Sequence, residues 1–211
     1  MKVAFAIGLL VVISSSACKK QEGQQALSTE QYSFTATIDN NPVRWEVKAI
    51  DNRTDTSKYH TRAHYFYSQW PVDCATTDCY DVGAGIVFNE RNRGNGIEVV
   101  HLQAQKTYDI NALQVFFSPG QKTFGKQRSS SYTTTTNGIV VRYTENGRVW
   151  STEKGDQSGS SFESVTLEDA TTDKDRYSKV WRARFSCTVY FDGLPARKIH
   201  NAEIYGPAFY K

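Results

Sequence analysis

The chain has no apolar run long enough to cross a membrane as a helix, which takes roughly 20 residues for ~30 Å of hydrocarbon. Its longest apolar stretch, Val3 to Ile13, is about half that. It has no excess of one charge: 25 Lys and Arg stand against 22 Asp and Glu. The basic residues are scattered apart from short groups such as Arg182/Arg184, and the pI is 8.6. A nucleic-acid footprint is a clustered basic stripe, so no nucleic-acid partner is expected. No segment keeps the 3.6-residue period of a helix for three turns, and no internal repeat is evident. Methionine occurs once, as residue 1. What is abundant instead is Ser, Thr and aromatic residues, with 12 Tyr, 11 Phe and 4 Trp. β-Branched and aromatic side chains suit a pleated, half-buried surface, and hydrophobic residues make up 39% of the chain with a mean hydropathy of −0.54. The body of the chain therefore reads as one water-soluble β domain with enough length for a sizeable core.

The apolar start has its own logic. Lys2 precedes Val3–Ile13, and Ser14 to Ala17 are small. This is the layout of a secretory signal peptide, whose apolar core is about 7–15 residues. Residues 15–18, Ser-Ser-Ala-Cys, resemble the lipobox of bacterial lipoproteins, with Ser15 where that family prefers Leu. The resemblance implies that residues 1–17 are a signal peptide and that Cys18 carries a thioether-linked lipid and acyl chains such as palmitate. Several acyl chains at ~0.8 kcal/mol per buried methylene make a lasting anchor. Residues 18–29, polar and without aromatics, have a tether's composition, and the domain is expected over 30–211.

Alternating apolar residues mark the strands. Tyr32, Phe34, Ala36 and Ile38 alternate, a turn cluster follows at Asp39-Asn40-Asn41-Pro42, and Val43, Trp45, Val47 and Ala49 alternate again, which predicts a hairpin. Strands are expected at 63–70, 80–89, 96–104, 113–117, 138–144, 148–153, 161–167, 181–191 and 198–205. Gly83 and Gly85 suggest a bulge or a close backbone approach. The apolar phase changes between Val99 and Val100, for which a bulge would account. Asn146-Gly147 is a specific hairpin signal. Asp169 to Asp175 reads as a polar link with room for a turn of helix. The fold class expected is all-β, an antiparallel β-sandwich of roughly ten strands, with a calycin-like β-barrel as the alternative.

The ends of this domain carry a second resemblance. FTATIDNNPVRW (34–45) and KIHNAEIYGPAF (198–209) are similar to the FTATIDGKPW-like opening and ITNGEF-like closing strand of small Bacteroidota-type lipoproteins of unknown function. The resemblance implies a lipid-anchored all-β domain in the cell envelope, at the outer membrane, with no catalytic residues to carry over. Surface-exported members carry an acidic run behind the cysteine. Here Lys19-Lys20 follows Cys18, which leaves the periplasmic and surface faces both open.

Few residues suggest chemistry. Export favours a disulfide between Cys74 and Cys79, while Cys187 lies on the apolar face of its strand and reads as a small buried hydrophobe. His60 and His64 are four apart on a strand, about 13 Å at ~3.3 Å per residue, too far for one metal ion, and the HTRAH stretch lacks the Glu of a zinc helix. Serines are plentiful, but none lies in a G-x-S-x-G elbow. GSSFES at 159–164 lacks the strand–elbow–helix context. No catalytic residue, metal or cofactor is expected. Aromatics are the remaining lead. Tyr65, Tyr67 and Trp70, with Tyr132, Tyr143 and Trp150, are candidate ligand-facing rings for a glycan or an envelope protein, against the plainer reading of a strand buried on both sides. The function expected is a lipid-anchored binding or structural accessory module. The alternatives are a calycin-like carrier of a small apolar ligand and a glycan-processing enzyme, which needs only two carboxylates ~5–10 Å apart.

Overall fold

A computed structural model describes residues 31–48, 59–69, 80–91, 94–105, 114–115, 117–126, 137–171 and 177–210. These residues are all-β. Eleven strands follow in order: β1 (Gln31–Ile38), β2 (Asn41–Lys48), β3 (Tyr59–Gln69), β4 (Tyr80–Glu90), β5 (Gly96–Gln105), β6 (Gly120–Gln121), β7 (Gly138–Glu145), β8 (Arg148–Ser151), β9 (Ser161–Asp169), β10 (Tyr177–Phe191) and β11 (Leu194–Tyr210). They form one antiparallel sheet in the order β2-β1-β11-β10-β8-β7-β5-β4-β3, with β9 beside β10 and β6 beside β9. Besides an isolated backbone bridge from Phe124 to Ile139 of β7, the half built on β1, β2, β9, β10 and β11 meets the half built on β3, β4, β5, β7 and β8 at one strand-to-strand pair, Tyr190 with Ser151. The sheet folds over at that join, and its two ends approach: the Trp45 ring of β2 stacks on Tyr59 of β3 at 5.4 Å. The result lies between the expected sandwich and a nearly closed barrel.

Local sequence explains the hairpins. Asp39 and Asn40 both take positive φ (48° and 67°), as do Asn146 and Gly147 (51° and 75°). Such turns twist in the same sense as the strands they join. Asp192-Gly193 turns β10 into β11. Both of those strands are long, and register shifts bend them. At one shift Asn201 adopts φ 50° and donates its N–H to Ser186 Oγ at 3.0 Å.

The alternation read from the sequence is the inward face. Tyr32, Phe34, Ala36, Ile38, Trp45 and Val47 are buried, and so are Trp181, Ala183, Phe185, Cys187 and Val189. Rings fill the interior: Phe117 meets Trp181 edge-on at 4.6 Å and Phe209 at 5.0 Å, and Phe162 stacks on Phe185 at 5.4 Å. Burial pushes the Cys187 thiol well above its usual range, consistent with an inert side chain.

Three expectations are corrected. The β4–β5 ladder runs unbroken through Val99 and Val100. The phase change reflects burial on both faces instead: Val99 joins the main core, and Val100 packs with Leu102 and Val140 in a second cluster. No strand covers Gln114 and Val115, which lie in a helical turn, and the short strand comes later, at Gly120–Gln121. The strand after Asn146-Gly147 stops at Ser151 and passes into a 3-10 turn, Thr152–Lys154, which Ser151 caps by accepting the Glu153 N–H. Of the two readings for the glycines, Gly85 takes the close approach, since a Cβ there would lie 1.9 Å from the Val99 carbonyl oxygen.

Candidate functional site

Three hairpin tips converge at one end of the fold: β1–β2 (Asp39), β7–β8 (Glu145, Asn146, Arg148) and β10–β11 (Leu194, Pro195, Ala196). Between them lies a groove of about 410 Å³, within the ~300–1,000 Å³ of small-molecule sites. Its organising residue is Arg197. One guanidinium nitrogen bonds Asp39 Oδ2 at 3.2 Å, and another pairs with Glu145 Oε2. The guanidinium carbon lies 4.6 Å from the centre of the Trp150 ring and 5.8 Å from that of Tyr143, a cation–π arrangement on two rings.

The supports of Arg197 are themselves fixed. Asp39 accepts the Lys198 N–H at 2.9 Å, and its own N–H donates to the Lys198 carbonyl at 3.0 Å. Tyr143 donates its hydroxyl to Glu145 Oε1 at 3.1 Å, and burial together with that carboxylate pushes its phenol well above the usual range. The Asn146 N–H donates to Asn95 Oδ1 at 3.0 Å, and Asn95 Nδ2 donates to Glu90 Oε2 at 2.8 Å, which joins the β4–β5 tip to the same end. Trp150 is 3% exposed, and its indole N–H has no hydrogen-bond partner among the described residues.

Two other polar clusters stand out. On β9–β11, a smaller recess of about 340 Å³ lies beside Glu163, Arg184, Asn201 and Glu203. Glu203 accepts from Arg182 at 2.6 Å and Arg184 at 2.9 Å. Burial works against its charge, but these two bonds hold its carboxyl below the usual range. Across β3, β5, β7 and the 3-10 turn, Arg142 bonds Glu98 at 2.8 Å and Glu153 at 3.0 Å. His64 Nδ1 lies 3.2 Å from Glu98, and Ser151 Oγ donates to Glu153 at 2.8 Å. Burial pulls His64 below its ordinary value against the opposing pull of Glu98, and Arg62 and Arg142 add to the lowering. Among the described residues no three metal-ligating side chains converge.

Of the residues singled out by sequence, Tyr143 and Trp150 come together, with ring centroids 6.2 Å apart. Both are buried in the core, and Trp150 also lines the groove. Tyr65 and Tyr67 lie in β3, paired with Ala84 and Val82, but their side chains fall outside the described residues, as do Cys18, Cys74, Cys79, Trp70 and Tyr132. Arg197, Asp39 and Glu145 were not foreseen as a group. Only the turn motifs hinted at them, since each sits at or beside a hairpin tip. Compared with protein-family models, with curated proteins and with solved structures, the chain matches none.

Proposed function

We propose that the protein is a lipid-anchored binding module of the cell envelope, held at the outer membrane through Cys18, that engages its ligand in the groove between the hairpin tips. The observation that carries this reading is the Arg197 assembly: a concave site with an indole wall and polar groups set in advance. A site whose side chains are already ordered loses little freedom on binding. Chain direction supports it too. The segment after Cys18 joins β1 at Gln31, and β1 ends at Ile38, one residue from Asp39 in the groove. Eight residues at ~3.3 Å each set these ends about 23 Å apart, so the groove lies at the end of β1 opposite the one at which the chain enters the domain. The ring-filled interior favours this external site over the carriage of an apolar ligand inside a barrel. Arg142, bonded to both Glu98 and Glu153, gives that carboxylate pair a structural tie in place of a catalytic role.

Two measurements test the proposal. Cys18→Ala is expected to abolish incorporation of a labelled fatty acid and to release the protein from the membrane fraction; labelling that survives the substitution removes the anchor. For the groove, a ligand at a hundredfold excess over its dissociation constant stabilises by ~2.7 kcal/mol. A thermal-shift screen over oligosaccharides, fatty acids, haem and metals is expected to give a hit that groove substitutions erase.

A further inference from the structure

We infer that the groove takes a neutral oligosaccharide, a reading that rests on the binding function proposed above. Charge is the first reason. Asp39 and Glu145 are balanced by Arg148 and Arg197, so the formal charge of the lining is zero. Arg197 is committed between the two carboxylates. An anionic ligand would meet those carboxylates with only Arg148 to receive it, and a cationic one would compete with Arg197 for its partners.

The second reason is hydrogen-bonding capacity. Among the described residues nothing bonds the side-chain amide of Asn146, the guanidinium of Arg148 or the indole N–H of Trp150. The first two are exposed, whereas Trp150 is nine-tenths buried and more. A buried donor without a partner is unfavourable by the full desolvation of that group, so a ligand oxygen reaching Trp150 would relieve a standing penalty. Carboxylate oxygens of Asp39 and Glu145 supply acceptors on the same lining. A sugar hydroxyl donates and accepts at one atom, so a ring that carries several matches free donors set beside fixed acceptors; amides carry both functions too, and the peptide titrants below separate the two.

Shape is the third. Leu194, Pro195 and Ala196 add apolar side chains to the otherwise charged and polar lining. Pyranose rings carry the same mixture, with C–H faces and hydroxyl edges. An acyl chain would have to strip water from four charged side chains along the lining and gain no hydrogen bond in return.

The test is titration calorimetry on the full chain with neutral gluco-, manno- and xylo-oligosaccharides, the matching uronic-acid oligosaccharides and control peptides. Asn146→Gly, which keeps the positive φ of the turn, and Arg148→Ala, at an exposed position, serve as groove variants. Neutral oligosaccharides are expected to bind, and each variant to weaken them about tenfold, the loss of one hydrogen bond, with an unchanged melting temperature. Tighter binding of the uronic acids or of the peptides, erased by the same variants, overturns the sugar inference and leaves the groove as a binding site. Binding that neither variant alters, or no binding by any titrant, overturns both.

Discussion

Ser164 is small, polar and fully buried, and its one hydroxyl serves two aromatic residues. It donates to the Phe117 carbonyl at 2.5 Å and accepts the Trp181 indole N–H at 2.9 Å. Ser164→Ala leaves a donor and an acceptor stranded in the core, each costing ~1–3 kcal/mol. The expected loss is about 2 kcal/mol or more, read as a lower midpoint in urea with an unchanged slope. His101 is the pH-sensitive counterpart. It is 4% exposed, beside Phe117 at 6.0 Å. Burial, with Lys122 nearby, lowers its pKa from 6.5 to about 4. The unfolded chain therefore takes up the proton first. The stability that depends on neutral His101 is complete above pH 6.5 and is lost as pH falls toward 4. At 1.36 kcal/mol per unit, that loss amounts to about 3 kcal/mol. Denaturation of wild type and His101→Leu at both pH values checks it; an equal drop in the two proteins means another group is responsible.

Within the half built on β3, β4, β5, β7 and β8 the middle strand is β5, which pairs with β4 on one side and β7 on the other and is buried on both faces. Its neighbour β4 approaches so closely at Gly85 that a Cβ would overlap the Val99 carbonyl. Gly85→Ala is expected to lose more than the ~1–3 kcal/mol of ordinary overpacking, to the point of preventing folding. Gly147→Ala faces open space at φ +75° and is expected to lose only the ~1–2 kcal/mol of a left-handed residue with a side chain. Thermal melts of the pair, read side by side, separate steric from conformational effects. Elements also decide what a sequence reader sees. Strands with one wet face, such as β1, β2 and β10, show their period of two directly. β5 does not, because a strand covered on both sides has no polar phase to alternate with. The 113–117 stretch is apolar enough for a strand, yet Phe117 is spent on plugging the core beside Trp181. Hairpin turns were legible from Asn-Gly and Asp-Gly chemistry. The groove was not, because Asp39 and Arg197 come from opposite ends of the domain and meet only when β1 pairs with β11.

Across the molecule, the two halves of the sheet are linked by an isolated bridge, Phe124 with Ile139, and by one strand-to-strand pair, Tyr190 with Ser151. The Arg142 cluster lies beside that join, because Ser151 also holds Glu153. It ties β3, β5, β7 and the 3-10 turn through side chains alone. Arg142→Met strands Glu98 and Glu153 together. Breaking a fully buried pair costs ~3–5 kcal/mol; with Arg142 still 21% exposed, about 2–3 kcal/mol is expected. Guanidinium-chloride denaturation monitored separately by near- and far-ultraviolet dichroism reads the effect. Transitions that remain coincident at a lower midpoint mean that the halves still unfold together.

The arrangement around β1 has a mechanical consequence. β2 holds this strand from Gln31 to Ile38, and β11 holds it from Ser33 to Ile38. Hydrogen bonds in antiparallel ladders run perpendicular to the strands. A load fixed at Gln31 and pulled at Asp39 therefore acts along the strand, in shear, and both ladders bear it at once. Pulling the same strand sideways would open the pairs one after another, like a zip. If the proposed anchor and groove both bear load, the pull between them runs in the direction in which that strand resists most.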